Sequence, residues 1–278
     1  MGITDFYKIK LSDGKTVKDL GHCHDLSFMN GKSVAVDAMR TVFSSYYAIK
    51  HHGLGTDGQE TGHIVVVFNV VMKLFKQNVG QIWVFDGAVN ELKRETVERR
   101  TNKLPPHAVD DIKRLLQLIG VPWYVVNVEA EFYCAELMRA GAVDYVYTND
   151  SDTILKGADI MYEETVDRRK VLYTLRAKDV YDAMGVTPED MARIAVIMGC
   201  DYCLKTVGVG PATILKRYRT IVLTELQQRA YEELLKPTNL KTAIMEQQAG
   251  KRNILGLKSW LRDLKFSDRT LDKLNVLM

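Results

Sequence analysis

Apolar positions along the chain change period several times, and each change marks an element. Short runs rich in β-branched and aromatic residues read as strands: SVAV (33–36), QIWVF (81–85), WYVVNV (123–128) and VDYVYT (143–148). Between them apolar residues recur every three or four positions, as one face of a helix requires. TGHIVVVFNVVMKLFKQN (61–78) leads into the second run. DDIKRLLQLIG (110–120) is apolar at 112, 115, 116 and 119 and closes on Gly120, and EAEFYCAELMRAG (129–141) closes on Gly141. TPEDMARIAVIMG (187–199) is a further helical stretch. Strands that alternate with helices predict an α/β fold with a mostly parallel sheet flanked by helices on both faces.

Composition narrows the class without naming a chemistry. Apolar residues at 46% and charged residues at 26% of 278 describe an ordinary globular chain with a sizeable core. The most apolar stretch, IVVVFNVVMKLF (64–75), is interrupted by Asn69 and Lys73, so no membrane span is expected. No signal-peptide pattern opens the chain, and four cysteines are too few for a disulfide framework. Both features predict an intracellular setting. Cys200 and Cys203 form a C-x-x-C, and HCH stands at 22–24, but neither has the second cysteine pair that a structural zinc site uses.

The chemistry is in the acids. In parallel sheets ligands bind beyond the carboxyl ends of the strands. All four expected strands carry an acid there: Asp37, Asp86, Glu129 and Asp150. Two of the ends are doubled, by Glu131 and Asp152, and Asp201 follows the helical stretch in MGCDYC. Asp150-Ser151-Asp152 alone leaves open a metal pair, a nucleophile or a share in a larger set. Seven carboxylates at one edge would repel each other, and divalent cations remove the conflict. Oxygen-only ligation favours Mg²⁺ or Mn²⁺, and the number of acids favours two ions, which suits in-line phosphodiester hydrolysis.

Two basic stretches could hold a polyanion. DGAVNELKRETVERRTNK (86–103) reads as a helix from about Asn90, with Lys93 and Arg100 two turns apart on one face. VGVGPATILKRYR (207–219) reads as a hairpin between two helices. Its glycines allow backbone amides to approach phosphate, and the helix after it adds Lys216, Arg217 and Arg219. The net charge is only +3, but setting the seven acids aside leaves +10. Affinity for a nucleic acid should therefore fall with salt.

In their order the motifs MGITDFYK, VAVDA, VFDG, EAEFYCAELMRAG, TNDSDTILKG, MGCDYC and VGVGPATIL resemble the flap endonuclease family of structure-specific 5′ nucleases. The resemblance runs nearly end to end. It implies a PIN-like (resolvase-like) nuclease core with a helix–hairpin–helix (helix-two-turn-helix) DNA-binding module. It implies hydrolysis of DNA at 5′ flaps, nicks, gaps or related junctions by a two-metal-ion mechanism. The products would carry 5′-phosphate and 3′-hydroxyl ends, in replication, repair or recombination. By matching position, Asp37, Asp86, Glu129 and Glu131 belong to one Mg²⁺ and Asp150, Asp152 and Asp201 to a second, with Mn²⁺ able to substitute. Lys93 and Arg100 match the cations at the scissile phosphate. Phe43 matches an aromatic that stacks on the neighbouring base, and Lys50 a basic position near the duplex. Gly2, Lys205, Gly208, Gly210, Lys216 and Arg217 complete the expected DNA contacts.

On this resemblance, 1–104 forms an N-terminal nuclease region and 105–219 an internal one whose hairpin module spans 190–219. Residues 220–278 form a C-terminal helical region packing on the core. The expected partner is branched, flapped or nicked DNA bound without sequence preference by a monomer.

Three departures from the family pattern stand out. Only about TNKLPPHAVD (101–110) is left to arch over the site, and Pro105-Pro106 rules out one continuous helix there. Lys205 replaces a serine that helps to hold K⁺ at the hairpin. No clamp-binding tail is visible after SWLRDLKFSDRTLDKLNVLM (259–278). Two rival readings are a haloacid-dehalogenase-type phosphatase, from DSDTI at 150–154, and a catalytically weak DNA-junction binder. The phosphatase needs its first aspartate after the first strand, whereas Asp150 follows the fourth. The binder leaves seven intact acids without a use.

Overall fold

The computed structural model describes residues 2–49, 61–87, 91–93 and 104–277. Its strands are β1 (His22–His24), β2 (Ser33–Asp37), β3 (Gly80–Asp86), β4 (Trp123–Val126), β5 (Tyr145–Tyr147), β6 (Ile160–Val166), β7 (Arg169–Leu175) and β8 (Ile244–Gln248). They form one sheet in the order β1-β7-β6-β5-β2-β3-β4-β8. The block β6-β5-β2-β3-β4 is parallel, and antiparallel pairs close it on both sides. The chain steps outward from β2 to β3 and β4, then returns to β5 on the other side of β2. That reversal opens a crevice at the carboxyl ends of β2 and β5, where such sheets bind ligands.

The helices among the described residues are α1 (Ala38–Ile49), α2 (Gly62–Lys76), α3 (Ala108–Ile119), α4 (Ala130–Arg139), α5 (Ser151–Leu155), α6 (Ala177–Met184), α7 (Pro188–Met198), α8 (Ile214–Arg217), α9 (Glu225–Leu235), α10 (Ile254–Asp263) and α11 (Asp268–Leu271). Alternation along the central strands sends side chains to both faces. Val34, Val36, Trp83 and Phe85 pack with Ile64, Phe68, Leu116 and Leu261 on one face. Ala35, Val84 and Val146 pack with Tyr133, Cys134 and Ala135 on the other. Burial on both faces is what makes a parallel sheet stable. A third apolar cluster joins the N-terminal Ile3, Phe6 and Ile9 to Ile154, Ile194, Ile197 and Ile214. It fixes α5, α7 and the hairpin that follows α7 to the same edge of the sheet.

The sheet is wider than the apolar periodicity predicts. β4 stops at Val126 rather than Val128, and Asn127 still donates to the Ala243 carbonyl just before β8. Within the expected C-terminal helical region, α9, α10 and α11 are joined by β8, which pairs with β4 through Glu246, Gln247 and Gln248, a set too polar to read as a strand. HCH at 22–24 is the edge strand β1. α8 ends at Arg217, so Arg219 lies beyond the helix expected to hold it. None of the described helices is long and apolar enough to cross a membrane.

The β6–β7 hairpin has a cause that the sequence hides. Its two-residue loop, Asp167-Arg168, has φ of 47° and 64°. Positive φ at both positions is the type I′ geometry, which favours Asn-Gly or Asp-Gly. Arginine in the second position pays a left-handed penalty that glycine avoids. Arg168→Gly should therefore stabilise the protein by about 0.5–1 kcal/mol in urea unfolding. A destabilised variant would mean that the arginine side chain contributes more than its backbone costs.

Candidate metal centre

Six of the seven acids expected at the edge are delivered by the end of a strand or the start of a helix, and the seventh, Asp201, by a turn after a helix. Asp37 and Asp86 are the last residues of β2 and β3. Asp37 Oδ1 accepts from the Arg40 amide at 2.8 Å, and Asp86 Oδ1 accepts from the Ala130 amide at 2.7 Å. The second bond ties the β3 acid to the first turn of α4. Glu129 is the N-cap of α4 and Glu131 lies in its first turn. Asp150 caps α5, accepting from the Asp152 amide at 3.2 Å, and Asp201 sits in the turn that follows α7. Carboxylates at helix N-termini face the positive end of the helix dipole, which partly offsets their crowding.

Lys93 lies among these acids and is 6% exposed. Its Nζ stands 2.5 Å from Glu129 Oε2, 3.2 Å from Glu131 Oε1 and 3.8 Å from Asp201 Oδ2. It also lies 5.0 Å over the Tyr202 ring. One ammonium therefore touches acids expected to serve different ions. Burial alone would lower its pKa, but the field of Glu131, Tyr202, Glu129 and Asp201 raises it well above the usual range. On the other flank Arg40 Nε lies 3.4 Å from Asp150 Oδ2, and Arg40 Nη2 donates to Asn149 Oδ1 at 2.9 Å.

These cations do not balance the acids. Asp37 and Asp152 have pKa values well above the carboxylate range, first through burial and then through neighbouring carboxylates, Asp86 for the one and Asp150 for the other. Asp150 is raised by burial and Glu131. Burial and Glu131 push Glu129 up to about 7. Asp152 Oδ1 is buried and accepts no hydrogen bond. Ligand oxygens of Asp86, Glu129 and Glu131 lie within 4.8 Å of one another. An oxygen-only donor set, uncompensated charge and an orphaned carboxylate oxygen together fit hard divalent cations.

The N-terminal strand of chain is laid against this edge. The Ile3 amide donates to Ser151 Oγ at 2.7 Å, and the Thr4 amide donates to the Gly199 carbonyl at 2.8 Å. Gly2 has φ +88°, and a Cβ there would come within 2.2 Å of Asp150 Oδ1. Gly2 therefore sits against a candidate ligand, as a residue that lets the backbone pass. Phe43 is half-buried on α1. Beyond α7 the connection to α8 turns at Gly208, exposed with φ +77°, and Gly210 has open space where a Cβ would point. Arg217 Nη1 donates to the Gly208 carbonyl at 3.0 Å, and both Lys216 and Arg217 are exposed. Lys205 Nζ reaches back to Asp5 Oδ2 at 3.5 Å. Lys50, Arg100 and most of the expected basic helix lie outside the described residues, as do 101–103 of the expected arch; its remainder, 104–110, leads into α3, which begins at Ala108.

Two domain patterns match the chain: the XPG N-terminal domain over residues 1–105 and the XPG I-region over 120–201. The chain belongs to the flap endonuclease family. It is 26% identical to flap endonuclease 1 of Kluyveromyces lactis over a 225-position alignment covering 69% of this chain and 59% of that protein. It is 25% identical to that of Glossina morsitans morsitans, covering 74% of this chain and 65% of the relative. The chain thus spans about three-fifths of the length of these relatives. Among solved structures, the catalytic core of Rad2 in complex with DNA substrate superposes with a TM-score of 0.78 at 20% identity, covering both chains fully. Flap endonuclease-1 from Methanococcus jannaschii superposes with a TM-score of 0.77 at 21% identity, over 92% of this chain and 95% of that one. At that identity the likeness establishes the nuclease fold.

Within this flap endonuclease frame the fold brings Asp37, Asp86, Glu129, Glu131, Asp150, Asp152, Asp201 and Lys93 to one edge. The sequence reading did not single out Arg40, Ser151 or Tyr202. Arg40 had a signal, since it stands three residues after Asp37 at the start of a helix and so faces the same edge. Ser151 and Tyr202 had none beyond sitting beside acids.

The raised carboxyls set the pH response of the metal-free protein. The folded chain holds protons on Glu129 up to about 7 that an unfolded chain releases near 4.5. Where the folded state binds more protons, stability falls as pH rises. With chelator present, the unfolding midpoint should therefore drop between pH 5 and 8. Ca²⁺ or Mg²⁺ should raise it more at pH 8 than at pH 5.5. Scanning fluorimetry across that range checks both, and a metal-free midpoint that climbs with pH would contradict the charge balance described above.

Proposed function

We propose that the protein is a structure-specific 5′ nuclease that cleaves DNA at 5′ flaps, nicks, gaps or related junctions. The observation that carries this reading is the convergence of seven acids and a buried lysine at the crevice of a flap endonuclease fold. Two Mg²⁺ are the proposed cofactors, with Mn²⁺ as substitute. Asp37, Asp86, Glu129 and Glu131 hold the first, and Asp150, Asp152 and Asp201 the second. Bound there, two divalent ions neutralise the carboxylates and polarise the attacking and leaving oxygens of a phosphodiester.

The protein's own groups do the rest. The Lys93 ammonium, held by Glu129, Glu131 and Asp201, would be available to a phosphate oxygen if divalent ions took over those carboxylates. Lys93 and Arg100 then stabilise charge at the scissile phosphate. Phe43 supplies a stacking face for the adjacent base. The backbone at Gly208 and Gly210, with Lys216 and Arg217, holds the duplex through its phosphates, and Lys50 adds a contact further along. Contacts of this kind fix position without reading sequence. Gly2 keeps the N-terminal backbone close beside Asp150. Cleavage of flapped, nicked, gapped and bubble DNA in Mg²⁺, and its loss in chelator, tests the whole reading.

Asp152→Asn keeps the shape of the site and removes one ligand charge. It should lower cleavage by several orders of magnitude and leave DNA binding in Ca²⁺ within a few-fold. Near-normal cleavage by this variant would remove Asp152 from the metal set.

Lys93→Ala should slow single-turnover cleavage by roughly 10²-fold, the loss typical of one electrostatic donor. Its duplex affinity should hardly change. A variant that binds poorly yet cleaves normally at saturation would make Lys93 a docking residue instead.

Lys205 stands where the family uses a serine to help hold K⁺. Its ammonium, paired with Asp5, supplies fixed positive charge at the hairpin in place of that ion. DNA binding should then be insensitive to exchanging K⁺ for another monovalent cation at constant ionic strength, and Lys205→Ser should create a K⁺ preference. A strong K⁺ preference in the unmodified protein would show that the backbone carbonyls suffice.

A further inference from the structure

A second group of ligand-type side chains comes together away from the seven acids. His63 lies in the first turn of α2, and His107 and Asp111 lie at the start of α3. His63 is fully buried, and its Nε2 stands 2.9 Å from Asp111 Oδ2. His107 Nε2 stands 3.7 Å from the same oxygen, is itself buried, and makes no hydrogen bond. The two rings meet at an interplanar angle of 68° with centroids 5.6 Å apart. One donor atom from each of the three residues falls within 4.8 Å of the others.

A hydrogen bond between His63 and Asp111 accounts for that pair alone. A second imidazole nitrogen, that of His107 one helical turn away, comes to the same carboxylate oxygen at 3.7 Å, too far for a hydrogen bond. In a tetrahedral site with bonds of 2.0–2.1 Å, donor atoms stand about 3.3 Å apart. The observed 2.9 and 3.7 Å lie on either side of that spacing. Two imidazoles with one carboxylate form a donor set suited to Zn²⁺ and poorly suited to Mg²⁺, which takes oxygens. His107 and Asp111 are four apart on one helix, so one ion meets both, while His63 comes from the neighbouring helix.

We propose that His63, His107 and Asp111 bind one Zn²⁺, with a water completing the coordination. Its place in the fold assigns it a structural task. α2 leads into β3 and α3 into β4, both parallel strands, so both helices begin at the carboxyl edge of the sheet. An ion joining their first turns clasps the two helices whose strands lead to Asp86 and Glu129. None of its three ligands belongs to the acid set, so the site stands or falls independently of the proposed nuclease activity.

The test uses the full chain, stripped with chelator and loaded with Co²⁺ in excess Mg²⁺, which occupies the oxygen ligands. One equivalent of Co²⁺ should survive desalting and show the intense visible bands of four-coordinate cobalt, and Zn²⁺ should displace it. His107→Ala, which leaves buried His63 in place, should weaken Co²⁺ binding by more than about tenfold, since even an outer-shell partner is commonly worth that much. Asp152→Asn should leave the cobalt spectrum unchanged. Failure of the wild-type protein to retain Co²⁺ in Mg²⁺ would overturn the proposal, as would an unaltered spectrum in His107→Ala. Cleavage is not the readout, so neither result bears on the nuclease reading.

Discussion

Mutual repulsion among buried carboxylates is the constraint around which the rest of this structure is organised. Asp37 and Asp152 sit where water is scarce, with other acids as neighbours. A fold can hold such a set only if something else supplies the energy and something positive can enter. The energy comes from the apolar layers on both faces of the sheet and from the third cluster that fixes α5 and α7. The positive charge comes partly from Lys93 and Arg40, which between them reach Glu129, Glu131, Asp201 and Asp150.

Lys93 ties the acids to one another. Without divalent ions it acts as an internal counter-ion and holds together acids from α4 and from the turn after α7. A buried ammonium paired in this way is costly to strand, since removing its partners leaves an uncompensated charge. Cations on those carboxylates would leave the ammonium in search of another anion at the same place, and a phosphodiester is one. The same residue therefore steadies the acid edge.

Two short stretches outside the strand–helix alternation complete the edge. The N-terminal residues 2–4 hydrogen-bond to Ser151 and Gly199, and so connect α5 with the corner that precedes Asp201. The turn after α7 is held in turn by Gln227, whose amide donates to the Val196 carbonyl at 3.0 Å and to Thr206 Oγ1 at 2.9 Å. Segments far apart in the chain thus hold the turn that carries Asp201. A side chain at Gly2 would meet Asp150 directly, whereas a change at Gln227 would reach the acid edge without touching it.

The order of acids, the parallel core and the placing of acids just beyond the ends of its strands were legible in the sequence. Period-2 and period-3.6 patterns are local, and a strand followed by a helix brings its carboxyl end to a predictable side of the sheet. The edge strands were not legible. β8 is built of Glu246, Gln247 and Gln248, and only pairing with β4 makes it a strand. The Asp167-Arg168 turn carries half of its usual signal. Nor could spacing along the chain reveal that Lys93 faces Glu129 and Asp201, or that His63 meets Asp111 forty-eight positions away. Local sequence determined which groups are offered at the edge. Tertiary packing decided which of them are buried together, because burial and distance, and with them the strength of every charge interaction, are properties of the folded whole.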